Sequence, residues 1–187
     1  LCLNNMARIF IALTPEQDIN QKLAYLKIKQ KNLTFKDAKV NWAKDNQHHI
    51  TINFLGSMEP EQREEMFDGF SNNLFYFKDM PIEVSHISYF PNDNGQVLVA
   101  NITVSQRMQK LYVNVREIVA KIGLGMDLRL FKPHITLARF KEKNRPFSEI
   151  IELENPLKFF IPSLDVYESK SISGATKHSL IKSYNFV

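Results

Sequence analysis

Two tetrapeptides, one in each half of the chain, carry the same arrangement of side chains. They are HITI at residues 49–52 and HITL at residues 134–137. Both are predicted strands because β-branched and aliphatic residues fill them. Side chains alternate along a strand, so the histidine and threonine share one face while the aliphatic pair packs on the other. Each tetrad therefore presents an imidazole beside a hydroxyl, anchored from behind by aliphatic side chains.

This arrangement suits a displacement at phosphorus. If a pseudo-two-fold axis relates the two halves, a phosphate in the groove between them meets an imidazole from either side. One histidine accepts a proton from the attacking water and the other donates one to the departing oxygen, since a pKa near 6.5 makes both forms available. Thr51 and Thr136 can hydrogen-bond the non-bridging oxygens. One His-x-Thr strand is common in purely structural roles, whereas two matched copies favour catalysis.

Apolar spacing and turn residues predict the elements that position the tetrads. Strands are predicted at residues 7–13, 40–43, 49–55, 81–90, 96–104, 134–140, 157–161, 164–171 and 178–186. Helices are predicted after a Thr14 cap, at residues 60–70, and from a Ser105 cap to Gly123. Their predicted inward side chains are Ile19, Leu23 and Leu26, then Met66, Phe67 and Phe70, then Met108, Leu111, Tyr112, Val115, Ile118, Val119 and Ile122.

Strand-rich segments with few helices favour antiparallel sheets over a doubly wound parallel sheet. We expect an α+β fold, a bilobal pseudo-two-fold arrangement of two mainly antiparallel sheets with flanking helices and a central groove. No linker-like stretch divides the chain, so residues 6–187 are expected to form one domain. Residues 1–5 precede Met6 and are expected to be a remnant of cloning or gene assignment.

The composition is that of an ordinary globular protein, with 44% hydrophobic and 24% charged residues. The net charge of +4 is compatible with a polyanionic partner. Cys2 has no second cysteine to pair with, which fits a reducing compartment. No apolar run approaches the roughly 18–20 residues of a spanning helix, and no signal peptide is recognised. A cytoplasmic protein without membrane contact is therefore expected.

The segments HHITINFLG at residues 48–56 and FKPHITLARF at residues 131–140 resemble the two signatures of the two-histidine phosphoesterase superfamily. More narrowly, they resemble its RNA 2′,3′-cyclic phosphodiesterases, also called 2′-5′ RNA ligases. RIFIAL at residues 8–13 resembles the opening strand of that family, and residues 165–186 resemble its closing hairpin. The resemblance implies a role in RNA processing without metal or other cofactor: hydrolysis of a 2′,3′-cyclic phosphate to a 2′-phosphomonoester, with reversible 2′-5′ joining of RNA ends.

The resemblance also implies roles for five residues. His49 would be the proton donor to the leaving 3′ oxygen and His134 the proton acceptor that activates water. Thr51, Thr136 and Arg139 would bind the phosphate. Arg139 has the opposite strand parity to the histidine, so it reaches the groove only if the strand bulges or ends near Ala138; we expect a bulge.

Other residues near the tetrads have weaker signals. Phe10 could stack on a nucleobase, although core packing is the alternative in a chain with 14 phenylalanines. His48 points away from His49, which argues against a zinc site, and His86 and His178 are expected to be structural or exposed. Basic residues near the second tetrad could attract an RNA backbone or form an ordinary solvated surface: Arg129, Lys132, Lys141, Lys143 and Arg145.

The expected partners are RNA ends that carry a 2′,3′-cyclic phosphate, or cyclic nucleotides, with the protein acting as a monomer that needs no protein partner. Two alternatives remain open from the sequence. One is a phosphodiesterase that acts on 2′-5′-linked oligonucleotides or on a small cyclic phosphate. The other is a nucleotide-binding module of the same fold without turnover, against which the two intact His-x-Thr motifs argue.

Overall fold

The structure is a computed structural model that describes residues 8–34, 40–74, 76–92, 95–124, 130–141, 151–172 and 175–187. The described strands are β1 (Arg8–Leu13), β2 (Val40–Trp42), β3 (Ile50–Gly56), β4 (Met80–Phe90), β5 (Val97–Ile102), β6 (His134–Phe140), β7 (Ile151–Ile161), β8 (Ser163–Ile172) and β9 (Ala175–Asn185). The helices are α1 (Gln17–Thr34), α2 (Pro60–Asn73) and α3 (Gln106–Lys121), with a short 3₁₀ helix at Asp45–Gln47.

The strands form one antiparallel sheet with the order β7-β4-β5-β6-β3-β1-β8-β9, and β2 pairs with β6 on the side away from β5. Its two halves of four strands meet where β3 pairs with β6 through a single residue pair, Ile50 with Ile135. On each side of this junction, a helix connects two paired strands: α1 lies between β1 and β3, and α3 between β5 and β6. The expected α+β class is confirmed, and the two expected sheets are the halves of one continuous sheet.

The helices bury one face of this sheet. Six of the seven residues predicted along α3 are buried, and Ile122 is partly buried. The predicted inward residues of α2 are all buried. The Ser105 hydroxyl caps α3 by accepting a hydrogen bond from the Met108 amide at 3.1 Å, and Gly123 follows the helix with a φ of 77°. Truncating a fully buried leucine such as Leu111 to alanine is expected to cost about 2–5 kcal/mol of stability.

Three predicted starts were wrong by more than one residue. Helix α1 begins at Gln17 rather than just after Thr14, whose hydroxyl instead lies 2.9 Å from the Tyr167 hydroxyl. Strand β9 begins three residues earlier than predicted, at Ala175. Strand β7 begins six residues earlier, because its first half is held by backbone pairing with β4 while many of its side chains stay exposed. Ile151 and Leu153 alternate with exposed glutamates and pack partly on the core, so a strand signal was present and was missed; Pro156 interrupts it before Leu157.

The sheet face opposite the helices carries the candidate site. On β1, Ile9, Ile11 and Leu13 join the core, so alternation sends Phe10 and Ala12 to the open face. The aliphatic residues of both tetrads are buried in the core, as predicted. Among the described helices, none is long and apolar enough to cross a membrane.

Candidate active site

The two tetrads lie side by side at the junction between the halves of the sheet. Because Ile50 pairs with Ile135 in antiparallel register, the histidine of each tetrad lies across from the threonine of the other. A local two-fold axis therefore passes between these two isoleucines. His49 and His134 are diagonal neighbours on the open face, for which a separation of roughly 7–8 Å is typical. That spacing leaves room for one phosphate between the imidazoles.

Backbone carbonyls fix the tautomer of both histidines in the same way. Nδ1 of His49 lies 2.8 Å from the carbonyl oxygen of Gln47, and Nδ1 of His134 lies 2.8 Å from that of Lys132. A carbonyl oxygen only accepts hydrogen bonds, so Nδ1 is the donor in each ring. Nε2 is left with a lone pair in the neutral form and with a proton in the charged form. Each histidine is thereby prepared to act as base or acid through Nε2.

Aromatic contacts hold the two imidazole rings. The ring centroid of His49 lies 5.1 Å from that of Phe10, and the centroid of His134 lies 4.1 Å from that of Phe90. The contact with Phe90, which reaches the site from the end of β4, was missed by the sequence analysis, and no motif or spacing indicates it.

Burial lowers the pKa of both histidines. Desolvation is the largest cause and brings the pKa of His49 to about 4; the hydrogen bond to Gln47 opposes it, and the charges of His178, His134 and Arg139 reinforce it. Desolvation also lowers the pKa of His134, again opposed by its carbonyl hydrogen bond and reinforced by Arg139. In the absence of an anion, burial therefore favours the neutral form of both imidazoles.

Strand β6 bulges where the parity of Arg139 requires it. Leu98 of β5 pairs with Ala138 and Val99 pairs with Thr136, so Leu137 is an extra residue in the ladder. Leu137 and Ala138 both join the core, and Arg139 returns to the open side, where it is exposed. Its charge lowers the pKa of both histidines, which puts it within electrostatic reach of each. The predicted bulge is present, and phosphate binding by Arg139 stays a prediction.

Strand β3 has a matching bulge, and it places an aromatic ring where β6 has the arginine. Ile11 of β1 pairs with Asn53 and Ala12 pairs with Thr51, so Ile52 is the extra residue. Phe54 thus occupies the position after its threonine that Arg139 occupies in β6. Its ring lies 5.8 Å from Phe10 and is 61% exposed. The sequence analysis missed Phe54, although the equal spacing from the two threonines could have revealed it.

Phe10 lies at the site, but other rings cover it. Its side chain is only 2% exposed, and it contacts the rings of His49, Phe54, Tyr167 and His178. In this arrangement Phe10 supports the site from beneath, and the more exposed Phe54 is better placed to meet a base. Stacking of a nucleobase on Phe10 stays a prediction.

His178, expected to be structural or exposed, is next to His49. Its ring centroid lies 5.5 Å from that of His49, at an interplanar angle of 79°. It is contributed by β9, which is distant in sequence from both tetrads. No spacing or motif in the sequence connects it to the tetrads, because strand pairing through β1 and β8 brings it there.

The remaining histidines lie in other surroundings. His48 is buried, and its Nδ1 lies 3.0 Å from Oδ1 of Asn20. Nδ1 of His86 lies 2.8 Å from the hydroxyl of Ser85. Across the described residues, no group of three or more His, Cys, Asp or Glu side chains could hold a metal ion.

Two further surfaces do not include the paired histidines. Of the basic residues predicted near the second tetrad, Lys132 and Lys141 are exposed, whereas Arg129, Lys143 and Arg145 lie outside the described residues. A cavity of about 830 Å³ lies at the start of α3, lined in part by Tyr76, Arg107 and Lys110.

Known proteins match this chain in sequence. Residues 13–99 match the family described as LigT like phosphoesterase. An RNA 2′,3′-cyclic phosphodiesterase of Thermotoga maritima is 22% identical over 165 residues, which are 87% of this chain and 86% of that protein. One of Methanocaldococcus jannaschii is 23% identical over 134 residues, 72% of each chain.

Solved structures share the fold over nearly the whole chain. A protein of Thermus thermophilus superposes with a TM-score of 0.82 at 19% identity, covering 95% of this chain and 97% of that one. E. coli LigT complexed with 3′-AMP superposes with a TM-score of 0.75 at 18% identity, covering 97% and 98%. The resemblance inferred from the two His-x-Thr motifs is confirmed: the chain is similar in sequence and in fold to LigT-like phosphoesterases.

Proposed function

We propose that this chain hydrolyses 2′,3′-cyclic phosphate ends of RNA to 2′-phosphomonoesters without a metal ion, with His49 and His134 as the acid–base pair. In this reaction a water oxygen bonds to phosphorus while the bond from phosphorus to the 3′ oxygen breaks. One imidazole takes the proton that the water loses, and the other supplies the proton that the 3′ oxygen gains. The products are a 2′-phosphate and a free 3′ hydroxyl.

The observation that carries this proposal is the two-fold arrangement of the tetrads. Each imidazole is held by a carbonyl at Nδ1, so two Nε2 atoms are available on one face of the sheet. In-line displacement needs proton transfer on opposite sides of phosphorus, and two histidines related by a local axis supply it. Two threonine hydroxyls between them can stabilise the equatorial oxygens. The names of the Thermotoga and Methanocaldococcus relatives support the substrate class.

The proposal keeps His49 as the proton donor and His134 as the acceptor, as the resemblance implies. Because the pKa of His49 is about 4 in the free protein, only about one molecule in a thousand carries that proton at pH 7. An anionic phosphate beside the ring favours the charged imidazole and raises this pKa. The assignment therefore requires proton uptake when the substrate binds.

The primary experiment incubates the purified chain, with its His49→Ala/His134→Ala double variant as control, with a nucleoside 2′,3′-cyclic phosphate. We expect a nucleoside 2′-phosphate from the parent chain and none from the variant. Parallel incubations contain a 2′-5′-linked oligoadenylate, or RNA fragments bearing 2′,3′-cyclic phosphate and 5′-hydroxyl ends, to test oligonucleotide cleavage and 2′-5′ joining. If the chain binds these substrates but converts none of them, the proposal is refuted and a nucleotide-binding module is favoured.

The two roles are separated with an activated diester. Bis(4-nitrophenyl) phosphate releases nitrophenolate, which needs no proton to depart. If His49 is the donor, His49→Ala loses much less activity on this diester than on the cyclic phosphate, whereas His134→Ala loses a similar factor on both. The opposite pattern would exchange the roles of the two histidines while leaving the pair intact.

A further inference from the structure

His49 lies in a cluster of aromatic rings that acid–base catalysis by the two histidines does not itself require. The ring of His178 lies 4.9 Å from Phe10 at 75° and 5.5 Å from His49 at 79°. Phe10 in turn stacks on Tyr167 at 5.3 Å. The imidazole of His49 is thus held at Nδ1 by a carbonyl and packed by a phenyl ring and a second imidazole. His134 packs against Phe90 instead.

The buried edge of His178 indicates that its packing matters. Its Nδ1 is inaccessible to solvent and has no hydrogen-bond partner within the described part of the chain. A buried polar atom left without a partner costs stability, and such exceptions point to a functional reason. An aliphatic or phenyl side chain would fill this position on β9 without that cost. Stability alone therefore does not explain an imidazole at this position.

We propose that His178 is a positioning residue for His49: with Phe10 it fixes the orientation of the His49 ring, and its own positive charge opposes a second positive charge there. This inference rests on the proposed function, because it assigns a role through His49. It places the third imidazole beside one member of the pair, which makes the two otherwise matched histidines unequal.

The charge states of the His178 and His49 rings are coupled. Burial lowers the pKa of His178, and the charge of His178 contributes to lowering the pKa of His49. A proton on His178 therefore hinders protonation of His49. By strand register and alternation, the other titratable and charged groups on this face are Arg8 on β1, Asp165 and Tyr167 on β8, and His134 and Arg139 on β6.

The test compares His178→Phe, which keeps a ring and removes the charge, with His178→Ala, which removes both. His86→Phe, a half-buried histidine in the other half of the sheet, is the matched control. Side-chain NMR of the full-length chain follows the titration of His49 directly. We expect the His49 midpoint to rise by about 0.5–1 pH unit in His178→Phe, from the loss of a charge 5.5 Å away. His86→Phe should leave it unchanged.

Kinetics on the cyclic phosphate give the second measurement. His178→Ala should lower kcat by roughly three- to ten-fold with little change in KM, since the His49 ring loses one side of its packing. His178→Phe should restore most of that kcat at neutral pH. An unchanged His49 midpoint in both variants would overturn the proposal, and so would a rise in KM alone, which indicates direct substrate contact. Absence of turnover in the parent chain would refute the proposed function, while the NMR titration would still decide the positioning role.

Discussion

Replacing Arg139 tests whether the bulge in β6 serves the phosphate. The bulge at Leu137 returns the arginine to the open side of the sheet, where its charge acts on both histidines. Its side chain is exposed, and its removal leaves the core beneath it intact. We therefore expect Arg139→Ala to fold normally and to lose activity on the cyclic phosphate.

The size of the loss follows from the bonds that a guanidinium makes to phosphate. Hydrogen bonds to a charged group are typically worth about 1.5–3 kcal/mol, which corresponds to a fall in kcat/KM of roughly ten- to a hundred-fold or more. Arg139→Lys should recover only part of it, because lysine offers a point charge rather than a two-pronged donor. Since the arginine lowers the pKa of both histidines, its removal should also move the pH optimum of kcat/KM upward.

Steady-state kinetics across pH, with circular dichroism as the folding control, measures both effects. Lys141→Ala is the matched control, because it removes an exposed cation two residues further along the chain. A specific phosphate contact predicts a large loss in Arg139→Ala and a small one in Lys141→Ala. Equal losses would show that Arg139 acts only through general electrostatic attraction of an anion. A folded and fully active Arg139→Ala would leave the two threonines as the phosphate ligands and contradict the reasoning.

Four further predictions concern the same site. His49→Ala and His134→Ala should each lose about 10²–10⁴-fold in kcat, and the double variant should lose far less than the product; near-normal turnover in either single variant would remove that histidine from the mechanism. Exhaustive EDTA treatment should leave activity intact, whereas loss with recovery on adding zinc or manganese would contradict a metal-free reaction. Because the pKa of His49 in the folded protein is depressed to about 4, its contribution to stability is present above pH 6.5 and lost as the pH falls toward 4. Between these pH values, the free energy of unfolding from denaturant titrations should fall by up to about 3 kcal/mol less in His49→Phe than in the parent chain. Phe54→Ala should raise KM roughly ten-fold with little change in kcat if a base stacks there, and an unchanged KM would exclude that contact.

Local sequence signals correctly predicted the elements in which each residue has the burial or capping role that its type favours. Helix α3 has an apolar stripe, a serine cap and a glycine after its end, and all three act as expected. The first half of β7 was missed although Ile151 and Leu153 alternate with exposed glutamates and pack partly on the core; Pro156 separates this short signal from the predicted strand at 157–161. The cap expected from Thr14 failed because a long-range partner, Tyr167, takes its hydroxyl. A pattern of apolar residues indicates which side chains are buried, and it gives little information where a distant side chain decides the local structure.

The sequence also predicted only part of the candidate site. Alternation predicted the faces of both tetrads. The resemblance placed Arg139 at the phosphate against its strand parity and so implied a bulge before it, which Leu137 supplies. Phe90 and His178 could not be predicted, since they reach the histidines from strands that join the sheet through intermediates. Their signal exists only in the strand order. The sequence therefore predicted the paired His-x-Thr residues and Arg139, and it missed Phe54, Phe90 and His178, which also make the two halves of the site unequal.

That asymmetry has a chemical consequence for how a nucleotide lies in the site. The two-fold axis supplies a histidine and a threonine on each side, so these four residues alone accept a cyclic phosphate in either direction. The next position differs: β6 presents the cation Arg139, and β3 presents the exposed ring of Phe54. A terminal nucleotide has an anionic end and an aromatic end, so the phosphate oxygens should face β6 and the base should lie over β3. The same direction places His178 on the side of the nucleoside, next to the histidine proposed to protonate its 3′ oxygen.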